Sequence, residues 1–270
     1  VLHSNIAEGA FHDSNERCGS PNFHPETTLA VREKIMGWIS KSNQRETAKV
    51  IWLSGPAGCG KTAIVGSVAE VCKEEGVLAT SFFASGTGSE KRCLKQHLIP
   101  TLAYGLTQHN SPLLLRDRVL TSTGRDPSVF SKRLHEQCKL LFLKPFFDAQ
   151  IPSDRSFVMI IDGLERLTES DGAQNGNGAV WREVLAALQS MVEDPAFPFR
   201  VLIVSRPERE IQEFFATQLD KISKRISLDN KYDHDSYKVS QDMQREKEEL
   251  TKSLPVLQSA LRKQQQDASA

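Results

Sequence analysis

The chain has 270 residues, long enough to bury a substantial core as one large domain or two small ones. Lys plus Arg number 34 and so do Asp plus Glu, so the net charge is zero and bulk electrostatics gives no case for nucleic acid or an anionic membrane as partner. Five cysteines, Cys18, Cys59, Cys72, Cys93 and Cys138, show no C-x-x-C spacing and read as free thiols of a reducing compartment, neither a zinc site nor a disulfide framework.

No apolar stretch approaches the roughly 20 residues that span a bilayer, and the first residues lack the order of a signal peptide. The chain therefore reads as soluble, intracellular and cytoplasmic, and its start at Val1 and polar end "RKQQQDASA" read as those of a piece of something longer.

Residues 1–27 are polar, and "CGSPNFHPET" carries two prolines, which predicts an irregular arm with Thr27 or Thr28 capping the helix that follows. In "TLAVREKIMGWISKS" the apolar residues Leu29, Val31, Ile35, Met36 and Ile39 recur at helical spacing, and "AKVIWLSG" is a short apolar run of strand formers ending in glycine. The pattern then alternates: helix 61–74, strand "VLATSFFA", helices over 90–144, strand "SFVMIID", a Gly/Asn loop at 172–179, helix 179–193, strand "FRVLIVS", helix 207–218 and strand "KISKRISL". Five strands separated by helices predict an α/β fold whose parallel sheet is covered on both faces. Three regions follow: an irregular arm and lead helix over 1–44, a nucleotide-binding domain over 45–229, and a charged helical tail or linker over 230–270.

"GPAGCGKT" at 55–62 matches G-x-x-x-x-G-K-[ST], and it stands after a strand and before a helix, as its mechanism demands. Gly55, Gly58 and Gly60 let the backbone turn tightly, so that the N–H groups from Gly55, Ala57, Gly58, Cys59, Gly60, Lys61, Thr62 and Ala63, with Pro56 shaping the turn, form a cradle for phosphates. Lys61 would reach the β and γ phosphates and Thr62 would ligate magnesium. A glycine turn that merely caps a helix is the bland alternative.

A P-loop enzyme holds its magnesium jointly through the loop Ser/Thr and an acid at a second strand end, which Asp162 supplies after four apolar residues. An Asp-Gly turn is the competing reading. Glu165 is the acid close enough in sequence to polarise an attacking water, against the alternative of a surface Glu paired with Arg166. In "RVLIVSRPE", Ser205 and Arg206 emerge at another strand end, where a cation can sense the γ-phosphate or stabilise charge in transfer.

Taken in order, "GAFHDSNERCGSPNFHPETTLAVREKIMGWI", "IWLSGPAGCGKTAI", "LATSFFAS", "LIPTLAYGL", "DPSVFSKRLHEQCKLLFLKPF", "IIDGL", "VSRPE" and "ISLDNKYDHD" resemble the NACHT-type domain of STAND ATPases, in the nephrocystin-like form abundant in multidomain proteins of mushroom-forming fungi. The resemblance covers nearly the whole chain, and the P-loop alone is specific by itself. It implies an ASCE-type P-loop NTPase sheet of order 5-1-4-3-2, with ATP or ADP and Mg2+ held by Lys61, Thr62 and Asp162 and with Arg206 as sensor. It also implies a signal-transduction switch, closed with ADP and opened for self-association with ATP, with C-terminal repeat or effector domains of a longer protein as partners. Two departures threaten turnover more than binding: relatives read D-G-L-D-E where this chain has Asp162-Gly163-Leu164-Glu165-Arg166, and H-P-x-T-R where it has His24-Pro25-Glu26-Thr27-Thr28.

Three alternatives compete. "NKYD" at 230–233 matches a guanine-reading motif, but Gly163 follows Asp162 directly where a GTPase has Asp-x-x-Gly. A scaffold that binds ATP without turnover is favoured by the Glu165-Arg166 pair. A small-molecule kinase would need a lid of arginines, for which Arg225, Arg245 and Arg262 are too scattered.

Overall fold

The predicted strand segments become five strands: β1 (Val50–Ser54), β2 (Leu78–Phe83), β3 (Phe157–Asp162), β4 (Phe199–Ser205) and β5 (Ser223–Ser227). The structure, a computed structural model, describes residues 2–17, 25–40, 48–108, 115–147, 156–169 and 177–228. All the strand pairs are parallel, in the order β2-β3-β4-β1-β5, which from the opposite edge reads as the expected 5-1-4-3-2. β1, β2 and β3 are buried at every position, which is why their sequences are continuous apolar runs with no alternation.

Helices cover both faces. Ile51 and Leu53 of β1 pack with Val31 and Ile35 of α1 (Pro25–Ser40) and with Ile64, Val65 and Val68 of α2 (Lys61–Glu74). Val50 and Trp52 point the other way, into a larger cluster fed by α3 (Leu98–Gln108), α4 (Leu115–Arg125), α5 (Leu134–Cys138), α6 (Lys144–Phe147), α7 (Gly178–Glu193) and α8 (Arg209–Thr217). A π-helical turn, Lys139–Leu143, joins α5 to α6 just before Pro145, which brings no N–H to the ladder. Among the described residues no helix is long and apolar enough to cross a membrane.

Two expectations shift. The first helix starts at Pro25, so Thr27 and Thr28 lie inside it and do not cap it; a proline's fixed φ suits the first helical position. The lead segment is irregular, three single 3-10 turns between His3 and Arg17, but it is docked: Leu2, Ile6, Ala7 and Ala10 are buried in the larger cluster. Most of the predicted loop at 172–179, His24 and the tail at 230–270 with "NKYD" lie outside the described residues.

Candidate functional site

The carboxyl ends of the three central strands carry buried polar residues. Ser54 and Ser205 are in register and fully buried, and Asp162, level with Val204, is 3% exposed. Open parallel α/β sheets bind their ligands at this end. Trp52 Nε1 donates to Ser205 Oγ at 2.8 Å and Arg225 Nε donates to Ser54 Oγ at 2.9 Å. The Arg225 guanidinium lies 4.5 Å from the Trp52 ring centre, and Phe215 stacks on the same indole at 4.5 Å. Sequence reading missed Ser54, Trp52 and Arg225 here; the available signal was that "VIWLS" and "VLIVS" end alike, in a serine before the loop.

The phosphate loop leaves β1 at Gly55, exposes Pro56, Ala57 and Gly58 to solvent, and turns through Gly58 and Gly60 at φ 78° and 84°, a left-handed conformation that side chains rarely adopt. The first bond of α2 runs from Ile64 N to Gly60 O at 3.0 Å, so the amides of Lys61, Thr62 and Ala63 come before the helical ladder, at the positive end of the helix. Thr62 is exposed at that end. Leu228, just past β5, donates its N–H to Ser54 O at 2.7 Å and so fastens the end of the last strand to the base of the loop.

Lys61 is 9% exposed, and its ammonium donates to Gly55 O at 2.7 Å, Pro56 O at 2.6 Å and Cys59 Sγ at 3.6 Å. All three acceptors are neutral. Among the described residues no carboxylate forms an ion pair with it, and a charge held out of water without a counter-charge favours an anion beside it.

Asp162 ends β3 with its backbone fixed, its carbonyl accepting from Ala84 N at 2.8 Å, while Gly163 N donates to Val204 O at 3.0 Å. Gly163 then turns at φ 81°, where a Cβ would sit 3.0 Å from Ala84 O, so this sharp exit requires glycine. The following 3-10 turn, Leu164–Arg166, buries Leu164, leaves Arg166 partly in solvent and turns Glu165 inward, its side chain 8% exposed. Glu165 Oε1 lies 3.6 Å from Arg206 Nε and 3.8 Å from Arg166 Nε, and Oε2 is buried without a hydrogen-bond partner. The structure thus brings Glu165 and Arg206 together, while β4 separates the strand of the phosphate loop from that of Asp162.

The model of the family described as Nephrocystin 3, N-terminal, matches residues 27–206. No curated protein matches the chain. Among solved structures it is similar to a chain in the Drosophila ORC bound to GC-rich DNA and Cdc6, at 11% identity and TM-score 0.40 over 75% of this chain and 29% of that one. It is similar also to the Aeropyrum pernix ORC2 protein in its ADPNP-ADP complexes, at 13% identity and TM-score 0.38 over 81% of this chain and 52% of that one. The chain spans less than two thirds of either. With its phosphate loop, its Asp162 strand and more than half of its length inside the matched segment, the chain belongs to the Nephrocystin 3, N-terminal family.

Proposed function

We propose that this domain binds ATP or ADP with Mg2+ as the nucleotide-binding unit of a STAND-type NACHT switch, and that it hydrolyses ATP slowly. The observation that carries the reading is the buried Lys61 ammonium, whose acceptors among the described residues are all neutral, set in a glycine loop at a helix N-terminus. The residues fit the cofactor: the amides from Gly58 to Ala63 would receive phosphate oxygens, and Thr62 and Asp162 would hold Mg2+, which neutralises phosphate charge when bound. Lys61 binds and orients the phosphates. Glu165, through its buried and unpartnered Oε2, would hold an attacking water, and Arg206 both fixes the other carboxylate oxygen and offers charge to the transfer.

The nucleotide unit would occupy 45–229, preceded by the arm and lead helix of 1–44 and followed by 230–270, which would lead to further domains. Self-association and a cytoplasmic setting belong to the same proposal. A non-hydrolysing scaffold is the second reading, favoured by the contact of Arg166 with the one acid that would position water.

The test is single-turnover hydrolysis with nucleotide affinity for wild type, Lys61→Ala and Glu165→Gln. Wild type is expected to bind Mg·ATP and turn it over slowly, Glu165→Gln to bind equally but lose about 10²- to 10⁴-fold in rate, and Lys61→Ala to lose binding. Binding without any rate above background in wild type leaves the scaffold. Unchanged affinity in Lys61→Ala overturns the site itself, and tighter binding of GTP than of ATP overturns the assignment of the base.

A further inference from the structure

Arg92, nine residues past the end of β2, is 4% exposed, and its guanidinium folds back on the strand it has left. Nε and Nη2 both donate to Phe83 O at 3.4 Å, while Nη1 donates to Thr87 O at 3.4 Å and to Glu16 Oε2 at 3.3 Å. Among the described residues the Glu16 carboxylate is the one that pairs with this buried charge.

The surroundings are shaped to that carboxylate. Glu16 comes from the docked lead segment, 76 residues away in sequence, and the same Oε2 also accepts the Ser89 N–H at 3.1 Å. Gly9 lies on one side and Gly88 on another, and a Cβ at either position would clash with the Glu16 carboxylate. A charged oxygen that takes one donor from Arg92 and one from Ser89 holds the loop after β2 in a single arrangement.

The peptide that Arg92 grips is also the one that reaches the candidate site. A one-residue slip of β2 against β3 at Ala79 brings Phe83 level with Asp162. The Phe83–Ala84 peptide then accepts from the guanidinium at its oxygen, while its N–H donates to Asp162 O at 2.8 Å. A peptide bonded at both ends is polarised, so each bond strengthens the other. The Gly163 turn rests on the next carbonyl, that of Ala84. Without Glu16 the buried guanidinium would keep only neutral carbonyls, and its move toward water would release Phe83 O. We propose that Glu16 is a positioning residue: through Arg92 and the Phe83–Ala84 peptide it fixes the strand end from which Asp162 would reach Mg2+. The proposal rests on the reading of Asp162 as a magnesium ligand, and partners at this remove carry about 10- to 100-fold in metal affinity.

The test titrates Mg2+ against ATP affinity in the whole chain and reads amide hydrogen exchange in the absence of nucleotide and metal. Glu16→Ala should raise the Mg2+ midpoint about tenfold, leave ATP affinity in EDTA unchanged, and speed exchange of the Ala84 amide. Glu16→Gln, of the same shape without the charge, should shift midpoint and exchange in the same direction, and it carries the test if Glu16→Ala does not fold. Asp13→Ala is the control: it cuts the exposed 2.7 Å bridge from the same segment to Lys73 without touching Arg92, and it should shift neither. A wild-type affinity indifferent to Mg2+ overturns the reading of Asp162 and the proposal with it. Where wild type responds to Mg2+, an unshifted midpoint or unchanged Ala84 exchange in a folded Glu16 variant, a matching loss of ATP affinity in EDTA, or an equal shift in Asp13→Ala overturns the proposal alone.

Discussion

Arg206 and Glu165 meet across two strand ends: Nε of the arginine after β4 lies 3.6 Å from Oε1 of the acid after β3. Arg166 approaches the same oxygen at 3.8 Å, so one carboxylate serves two cations of different position. Their roles separate by substitution. Arg206→Ala should lower the single-turnover rate about 10²-fold, the worth of one well-placed charge on a transition state, whereas Arg166→Ala should leave it equal or higher. Equal losses in both variants would show that the two cations act only as structural partners of Glu165.

Lys61 gives a prediction about stability that is opposite in the free and the liganded protein. Its removal takes away a buried charge with neutral partners, so Lys61→Ala without nucleotide should melt no lower than wild type. Mg·ATP at 100 times its dissociation constant should stabilise wild type by about 2.7 kcal/mol and leave Lys61→Ala unmoved. A thermal-shift titration reads both, and an equal shift in the variant counts against the anion-binding role.

Trp52 links β1 to β4 from within. Trp52→Phe keeps a ring to stack on Phe215 but leaves the fully buried Ser205 hydroxyl without the indole N–H. The cost should be about 1–3 kcal/mol, read as a lower denaturation midpoint with unchanged slope. Restoration of most of that loss in the Trp52→Phe/Ser205→Ala double variant would identify the unpaired hydroxyl as its source.

The cysteines divide by environment. Burial pushes the Cys72 thiol up to about 12, with Glu75 adding to it, and burial alone pushes Cys138 up to about 12. Native alkylation near neutral pH should spare both and label the partly exposed Cys59 and Cys93, with Mg·ATP slowing Cys59. The sign for stability follows: from pH 9.0 toward about 12 the unfolded chain releases thiol protons that the fold retains, so stability falls as pH rises. Melting at pH 8 and pH 10 checks it, and Cys138→Ala should flatten the decline.

What could be read from the sequence was local. "VIWLS", "FVMIID" and "FRVLIVS" announce strands because both of their faces are covered, and the phosphate loop is legible because its chemistry lies in eight consecutive residues. The pairing of Glu165 with Arg206, the Arg225–Trp52 stack and the slipped register at Ala79 depend on how strands align in space, and no local pattern carries that alignment. The docked lead segment was also hidden. Leu2, Ile6 and Ala10 recur every fourth position, but single 3-10 turns interrupted by polar residues give no sustained period, and the proline-containing stretch after them reads as a loop.

Gly163 gives a further check on the site. Gly163→Ala forces a side chain into a left-handed turn and against Ala84 O, at a cost of about 1–3 kcal/mol. Because the same turn aims Glu165, hydrolysis should fall further than nucleotide affinity, and an unchanged ratio of rate to affinity would detach the turn from the chemistry.

The bond from Leu228 N to Ser54 O has a mechanical meaning. Leu228 is the first residue after β5 (Ser223–Ser227), so a displacement of this strand end strains, through one backbone hydrogen bond, the residue from which the phosphate loop departs. Conversely, a displacement of the loop root at Ser54 strains the end of β5 through the same bond.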